Sequence, residues 1–281
     1  MRFFLLLVSL INLFLLSSCK KYVPADAAFF IKPTVVSVST TTAQGTGSHK
    51  ITDLWLYING KFQGAYPTGN LLPIVTKNQN VKINIFAGIK NNGISGTRIS
   101  WVFYDLLTID TLVESGKTIE RPITFKYNPN TKFSWMENFE LPGYTLIKSN
   151  TNPTDTNWKF ASAAESFEGK SVEIGLTGNA LVAQVESSIS YTLPSGSSNV
   201  FLEINYKANQ AFEVGMVSGS VNKPAVMVNP SETWNKIYIQ LADAYNRNPK
   251  SSSQKVYFKL LKTSENANPK LFLDNIKLIH F

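Results

Sequence analysis

Leu54-Trp55-Leu56-Tyr57-Ile58-Asn59-Gly60-Lys61-Phe62-Gln63 commits the chain to strands. Leu54, Leu56 and Ile58 alternate with Trp55 and Tyr57, the period of a strand whose two faces meet different surroundings. Asn59-Gly60 follows at once, and a type I′ turn needs positive φ at both central residues, which this pair tolerates best. These residues therefore predict a hairpin. The alternation recurs upstream in Val36, Val38 and Thr40 and downstream in Val81, Ile83 and Ile85. It returns in Arg98 to Tyr104, Leu107 to Leu112 and Thr118 to Tyr127. Roughly seven strands of this kind predict a β-sandwich over residues 34–127.

Tyr127-Asn128-Pro129-Asn130 reads as a domain boundary, because two turn-forming asparagines flank a proline. Beyond it, residues 133–281 repeat the pattern. Leu202, Ile204 and Tyr206 share one strand face, as do Phe212, Val214 and Met216, then Ile237, Ile239 and Leu241, then Val256, Phe258 and Leu260. No stretch sustains a helical period for three turns, so a second all-β unit, a jelly roll, is expected. Composition agrees. Charged residues make up 16% and aromatics 12% of the chain, a profile that suits strands and turns better than amphipathic helices.

The N-terminus gives an address. Met1 and Arg2 precede an apolar run from Phe3 to Leu16, shorter than the ~20 residues a membrane-spanning helix needs. Leu16-Ser17-Ser18-Cys19 closes it with small residues before the chain's only cysteine, as in a cleaved secretion signal of residues 1–18. Residues 19–33, holding Pro24 and Pro33, read as a tether. Of the net charge of +8, the segment Lys20 to Lys132 carries thirteen basic against six acidic residues, and Phe133 to Phe281 carries thirteen of each. The excess is scattered, with no basic helix or aromatic-basic cluster, so nucleic acid is not an expected partner.

Leu16-Ser17-Ser18-Cys19 resembles the lipobox of bacterial lipoproteins. That resemblance implies cleavage before Cys19 after its sulfur has taken a diacylglycerol, and hence palmitate-type acylation and a membrane partner. Leu56-Tyr57-Ile58-Asn59-Gly60, Gly64, Pro67, Leu71-Leu72-Pro73-Ile74 and Asn80 to Ala87-Gly88 resemble PEGA surface-layer modules, with a broader immunoglobulin-like sandwich equally acceptable. Residues 133–281 resemble galactose-binding-like jelly rolls found as carbohydrate-binding modules, on the opening Asn138-Phe139-Glu140, the Thr233-Trp234-Asn235 approach to a strand, and the final Leu273-Asp274-Asn275-Ile276. In such jelly rolls an acid near the first strand and one on the last can hold a structural calcium, and Glu140 and Asp274 match those places. As a whole, the chain resembles Bacteroidota-type outer-membrane lipoproteins. Surface-directed members carry acids after the cysteine, so Lys20 and Lys21 favour the periplasmic face.

The catalytic inventory is thin. His49 and His280 lie at no metal-ligand spacing from another histidine or cysteine, and no Gly-x-Ser-x-Gly marks a hydrolase elbow. Gly116-Lys117-Thr118 and Gly169-Lys170-Ser171 imitate the end of a phosphate loop but lack its first glycine and precede strands. Glu165, Glu168 and Glu173 surround Gly169 and read as a solvated turn. Trp158 and Tyr245, in loop-like sequence, are the candidate rings for stacking on a sugar; Trp234, just ahead of a strand, reads as core.

The sequence therefore predicts an all-β chain, two β-sandwich domains in tandem behind a lipoprotein signal peptide. The expected function is a non-catalytic binding or assembly subunit among other envelope proteins at the outer membrane. Glycan binding by the jelly roll is the alternative, and a glycan-active hydrolase stands third.

Overall fold

A computed structural model describes residues 28–76, 79–150, 155–247 and 254–281. Cys19 and the signal segment lie outside them. The first unit contains β1 (Phe29–Ser39), β2 (Asp53–Ile58), β3 (Lys61–Pro67), β4 (Leu72–Ile74), β5 (Gln79–Lys90), β6 (Arg98–Ser100), β7 (Leu107–Val113) and β8 (Thr118–Lys126). One sheet runs β4-β1-β8, with β1 and β8 parallel; the other runs β3-β2-β5-β6, with β7 also on β5. Asn59 and Gly60 both have positive φ, at 47° and 78°, as the β2–β3 hairpin requires. Leu54, Leu56, Ile58, Val81, Ile83 and Ile85 all point into the space between the sheets and are buried.

Two boundaries differ from the sequence reading. The tether assigned to residues 19–33 is already strand from Phe29, because Phe29 and Ile31 are core residues paired with β4 and β8. Pro33 does not stop β1; it sits at a register shift between Pro33 and Val36, where a proline is tolerated. The strand expected over Arg98 to Tyr104 ends at Ser100, and Trp101, Phe103 and Tyr104 turn inward while Val102 stays exposed. Trp101, Phe103 and Tyr104 are buried, and Phe103 O accepts a 2.8 Å hydrogen bond from Asn128 N in the connecting segment.

The second unit contains β9 (Lys132–Glu137), β10 (Leu146–Lys148), β11 (Thr156–Phe160), β12 (Val172–Leu176), β13 (Val182–Ser187), β14 (Val200–Ala208), β15 (Phe212–Ser218), β16 (Val221–Val228), β17 (Ser231–Gln240), α1 (Ala242–Asn246), β18 (Lys255–Leu261) and β19 (Leu271–His280). Its sheets run β10-β13-β18-β15-β16 and β11-β12-β19-β14-β17, with β9 also on β19, and every pairing among them is antiparallel. The inner residues of β14, β15, β17 and β18 are those the alternation picked out.

The two sandwiches are fused rather than strung on a linker. All ten residues of β19 are buried, which a two-layer sandwich alone cannot achieve. The reason is that the first unit covers part of the outer faces of β14, β17 and β19, while Trp234 and the 165–171 turn cover Phe272 and Asp274. Phe201, Tyr238 and Ile279 join the core of that unit, where the Trp101 ring lies 4.9 Å from Phe201 and 4.7 Å from Tyr238. Backbone bonds close the seam: Asn92 N donates to Tyr238 O at 2.9 Å, and Lys50 N donates to the Tyr238 hydroxyl at 3.0 Å.

Buried charge accompanies these rings. Glu203 is fully buried; its Oε2 accepts from the Tyr127 hydroxyl at 2.9 Å and lies 3.3 Å from Lys236 Nζ. Lys277 Nζ donates to Thr46 O at 2.7 Å and sits 5.0 Å above the Tyr127 ring. Burial pulls the Lys277 ammonium down to about 8, with Lys236 adding to the fall and Glu203 opposing it. The same dry seam pushes the Tyr104 and Tyr127 hydroxyls well above their ordinary range.

Candidate functional site

The first sandwich covers only part of the outer face of the β11-β12-β19-β14-β17 sheet. The register aligns one row across the open remainder: Lys159 on β11 pairs with Glu173 on β12, Glu173 with Phe272 on β19, and Phe272 with Lys207 on β14. Trp234 on β17 continues it, its ring centroid 6.5 Å from that of Phe272. Along a strand the faces alternate, so Lys159 faces out while Trp158 turns toward the core.

The row is cross-braced by charge. Glu173 lies 3.6 Å from Lys159 Nζ and 3.1 Å from Lys270 Nζ, and its side chain is 13% exposed. Lys207 pairs with Glu165 and lies 4.5 Å over the Phe272 ring. Trp234 Nε1 donates to Glu165 O at 3.0 Å, which pins the 161–170 loop onto the sheet. Lys159, Glu165, Glu173, Lys270 and Phe272 line a groove of about 550 Å³, whose wall includes Phe160 and Ser162. Lys159, Glu173 and Lys270 also border an adjoining recess of about 250 Å³ that reaches Asn157 and Asn268. Phe160 borders the groove at the end of β11; it is 38% exposed, and its ring lies on the Trp158 side of the strand, 5.4 Å from Trp158 and 4.9 Å from Tyr144.

Several residues singled out in the sequence take other roles. Tyr245 is not a surface ring: it lies in α1, is 8% exposed within the core, and its hydroxyl accepts from Leu193 N at 3.0 Å. Short polar neighbours made that segment look like a loop. Trp158 is half-buried against the core with Tyr144 and Phe160 at 5.8 and 5.4 Å, so Phe160 rather than Trp158 carries the exposed ring of that strand. Trp234 is outside the core and belongs to the open face. Of the three glutamates read as a solvated turn, Glu165 and Glu173 are ion-paired in the groove, and Glu168 accepts from Thr46 Oγ1 at 3.3 Å across the domain seam.

Glu140 and Asp274 both hold the 165–171 turn. Glu140 Oε1 accepts from Lys170 N at 2.7 Å, packed so closely against Gly169 that a Cβ there would come within 2.1 Å of it; Gly169 also has φ of 43°. Asp274 Oδ2 accepts from Ser171 Oγ at 2.8 Å and from Glu168 N at 3.3 Å, and Oδ1 from Asn275 N at 2.7 Å. Burial raises the Asp274 carboxyl to about 6 despite these donors, and the Glu168 charge adds to the rise. Calcium needs six or more oxygens, and among the described residues no three His, Cys, Asp or Glu side chains group together, so a calcium held by Glu140 and Asp274 would take its other ligands from backbone carbonyls. His49 Nδ1 accepts from Ile51 N, and His280 Nε2 pairs with Ser134 Oγ at 2.8 Å. Each histidine is engaged in local structure.

The fold thus defines a two-unit β-sandwich protein with an open sheet groove. No family model matches the chain, and no curated protein does. Solved structures similar to about half of it include carbohydrate-binding modules. One is the family 11 module of a cellulosomal cellulase of Clostridium thermocellum, 16% identical, covering 54% of this chain and 95% of its own, with a TM-score of 0.39. The Clostridium thermocellum family 11 module in complex with a β-1,3-1,4-mixed-linked tetrasaccharide is 18% identical, covers 53% of this chain and 95% of its own, and has a TM-score of 0.35. A family 29 module is 10% identical, covers 53% of this chain and 89% of its own, and has a TM-score of 0.32.

Proposed function

We propose that this chain is a non-catalytic, lipid-anchored envelope protein whose second sandwich holds glycan along the Phe160–Glu173 groove. The observation that carries this reading is the open row itself. A sugar ring presents a C–H face to an exposed aromatic and hydroxyls to charged side chains; Lys159, Glu173 and Lys270 supply the charges along the groove, and Phe160 supplies a partly exposed ring at its rim. Those charges hold one another in place before any ligand arrives, which lowers the ordering cost of binding. The groove's size lies in the range of small-ligand sites.

Affinity electrophoresis of the whole chain through gels containing soluble plant and bacterial polysaccharides tests it. At least one polysaccharide is expected to retard the protein, and Phe160→Ala or Glu173→Gln to weaken that retardation about tenfold at unchanged melting temperature. Unaltered migration across the panel would remove the reading.

The anchor rests on Leu16-Ser17-Ser18-Cys19. Two or more acyl chains at ~0.8 kcal/mol per buried CH₂ attach a protein durably, so Cys19→Ser is expected to abolish palmitate labelling and move the chain into the soluble fraction. Persistent labelling would overturn it. Lys20 and Lys21 support the periplasmic leaflet, and protease shaving of intact cells reads the side directly.

One further observation favours assembly with an envelope protein as a second role. Trp55, Phe62, Tyr57 and Phe86 form a ribbon on the outer face of the first unit, with successive ring centroids 5.6, 5.2 and 5.3 Å apart and Phe62 52% exposed. Contiguous exposed rings of this kind mark contact surfaces. In-cell crosslinking that captures no envelope protein would count against that role.

A further inference from the structure

Between the two sandwiches, away from the groove, lies a cavity of about 520 Å³. The turn after β5 and the residues leading into β2 form one side, and β16 and β17 form the other. Lys50, Lys90 and Lys236 line it, and no aspartate or glutamate does. Beneath the lining lies Glu203, whose Oε2 is 3.3 Å from Lys236 Nζ. Glu203 must also answer Lys277, so one carboxylate serves two buried ammonium groups. Lys236 Nζ is buried and makes no hydrogen bond. Lys50 Nζ donates to the neutral Asn235 Oδ1, and burial together with the Lys90 charge pulls Lys50 below its ordinary value. Lys236 thus turns to Glu203 beneath the wall, while Lys50 and Lys90 give the cavity positive charge with no carboxylate on its lining. Its other lining is mixed: amides and hydroxyls from Asn229 and Ser231, apolar surface from Ile94 and Met227.

We propose that this cleft binds an anionic, saccharide-sized molecule, a sugar bearing a carboxylate or a phosphate, with the negative group between Lys50 and Lys90. The charge surplus specifies an anion, since ammonium groups held in a partly dry pocket gain most from a charged acceptor. The mixed walls specify the remainder, because amides and hydroxyls match sugar hydroxyls while Ile94 and Met227 offer apolar contact. The site shares no lining residue with the Phe160–Glu173 groove and stands or falls separately from it.

The test is calorimetric titration of the whole chain at low ionic strength with digalacturonate, glucose 6-phosphate, inorganic phosphate and the neutral disaccharide cellobiose. At least one of the two anionic sugars is expected to bind at least about tenfold more tightly than cellobiose and inorganic phosphate. Which of the two binds identifies the anion. The double variant Lys50→Met/Lys90→Met, altered at the cleft rim, is expected to lose at least about tenfold in that affinity, while Phe160→Ala keeps it. Cellobiose binding as tightly as the anionic sugars, or an unchanged affinity in the double variant, would overturn the proposal. So would inorganic phosphate matching glucose 6-phosphate, or no heat with either anionic sugar. Loss of binding in Phe160→Ala would do the same, because it would place the ligand in the groove.

Discussion

Glu203→Gln is expected to cost the folded chain about 3–5 kcal/mol, the cost of leaving a buried charge without its partner. The substitution keeps shape and keeps an acceptor for the Tyr127 hydroxyl, so the loss isolates charge. Glu203 is the carboxylate facing both Lys236 and Lys277 in the seam, and removing it leaves two cations there with none. Chemical denaturation read by tryptophan fluorescence measures the cost. Adding Lys236→Met should return a large part of it, because the second change removes one of the orphaned cations and fills its space with an apolar chain. A double variant as unstable as Glu203→Gln alone would sink the account.

The pH dependence follows with a definite sign. Lys277 titrates near 8 when folded against 10.5 when unfolded, so between those values the unfolded chain binds more protons and this group's contribution to stability rises with pH. Below pH 8 its burial penalty is fully present. Without Glu203, which raises the Lys277 value, the folded ammonium loses its proton at still lower pH, and Glu203→Gln should begin to recover stability below pH 8. Denaturation midpoints of parent and variant between pH 6 and pH 10 check this, and parallel profiles would contradict it.

Local pattern was legible; the partner of each face was not. Asn59-Gly60 fixed the β2–β3 hairpin, and the alternations in β14, β15, β17 and β18 named the inner residues correctly. The same strands carry Phe201 and Tyr238 at the opposite parity, and β19 carries Ile279, a sign that both faces are buried. Glu203, Lys236 and Lys277 share that parity and so look like solvent residues until the first sandwich covers them. The groove was hidden for another reason. Lys159 and Glu173 meet only through the β11–β12 register and Glu173 and Phe272 only through β12–β19, and no spacing along the chain announces either pairing. Phe160 could have been found from its own strand, since the Asn157-Trp158-Lys159-Phe160 alternation sets two rings on one side and two polar residues on the other. β4 escaped because three residues are too few to show a period.

Trp101→Ala should destabilise the whole molecule, not just the first sandwich. Trp101 is 1% exposed, with ring neighbours Phe103 at 5.0 Å on its own side of the seam and Phe201 and Tyr238 at 4.9 and 4.7 Å on the other. Truncation removes the common contact of these three rings and leaves a cavity that the two sheets cannot close without moving as bodies. A buried Trp→Ala change costs about 3–5 kcal/mol, which in a chain of this size lowers the melting temperature by roughly 10 °C. Because the seam couples the units, differential scanning calorimetry of the parent should show one cooperative transition, and the variant should separate it into two as coupling weakens. Phe62→Ala provides the contrast. Its ring is half exposed on the outer ribbon, and its removal should cost under about 1 kcal/mol with the single transition intact. Equal losses for Trp101→Ala and Phe62→Ala would mean the seam contributes no more than an exposed surface contact, and the two sandwiches would then be independent domains after all.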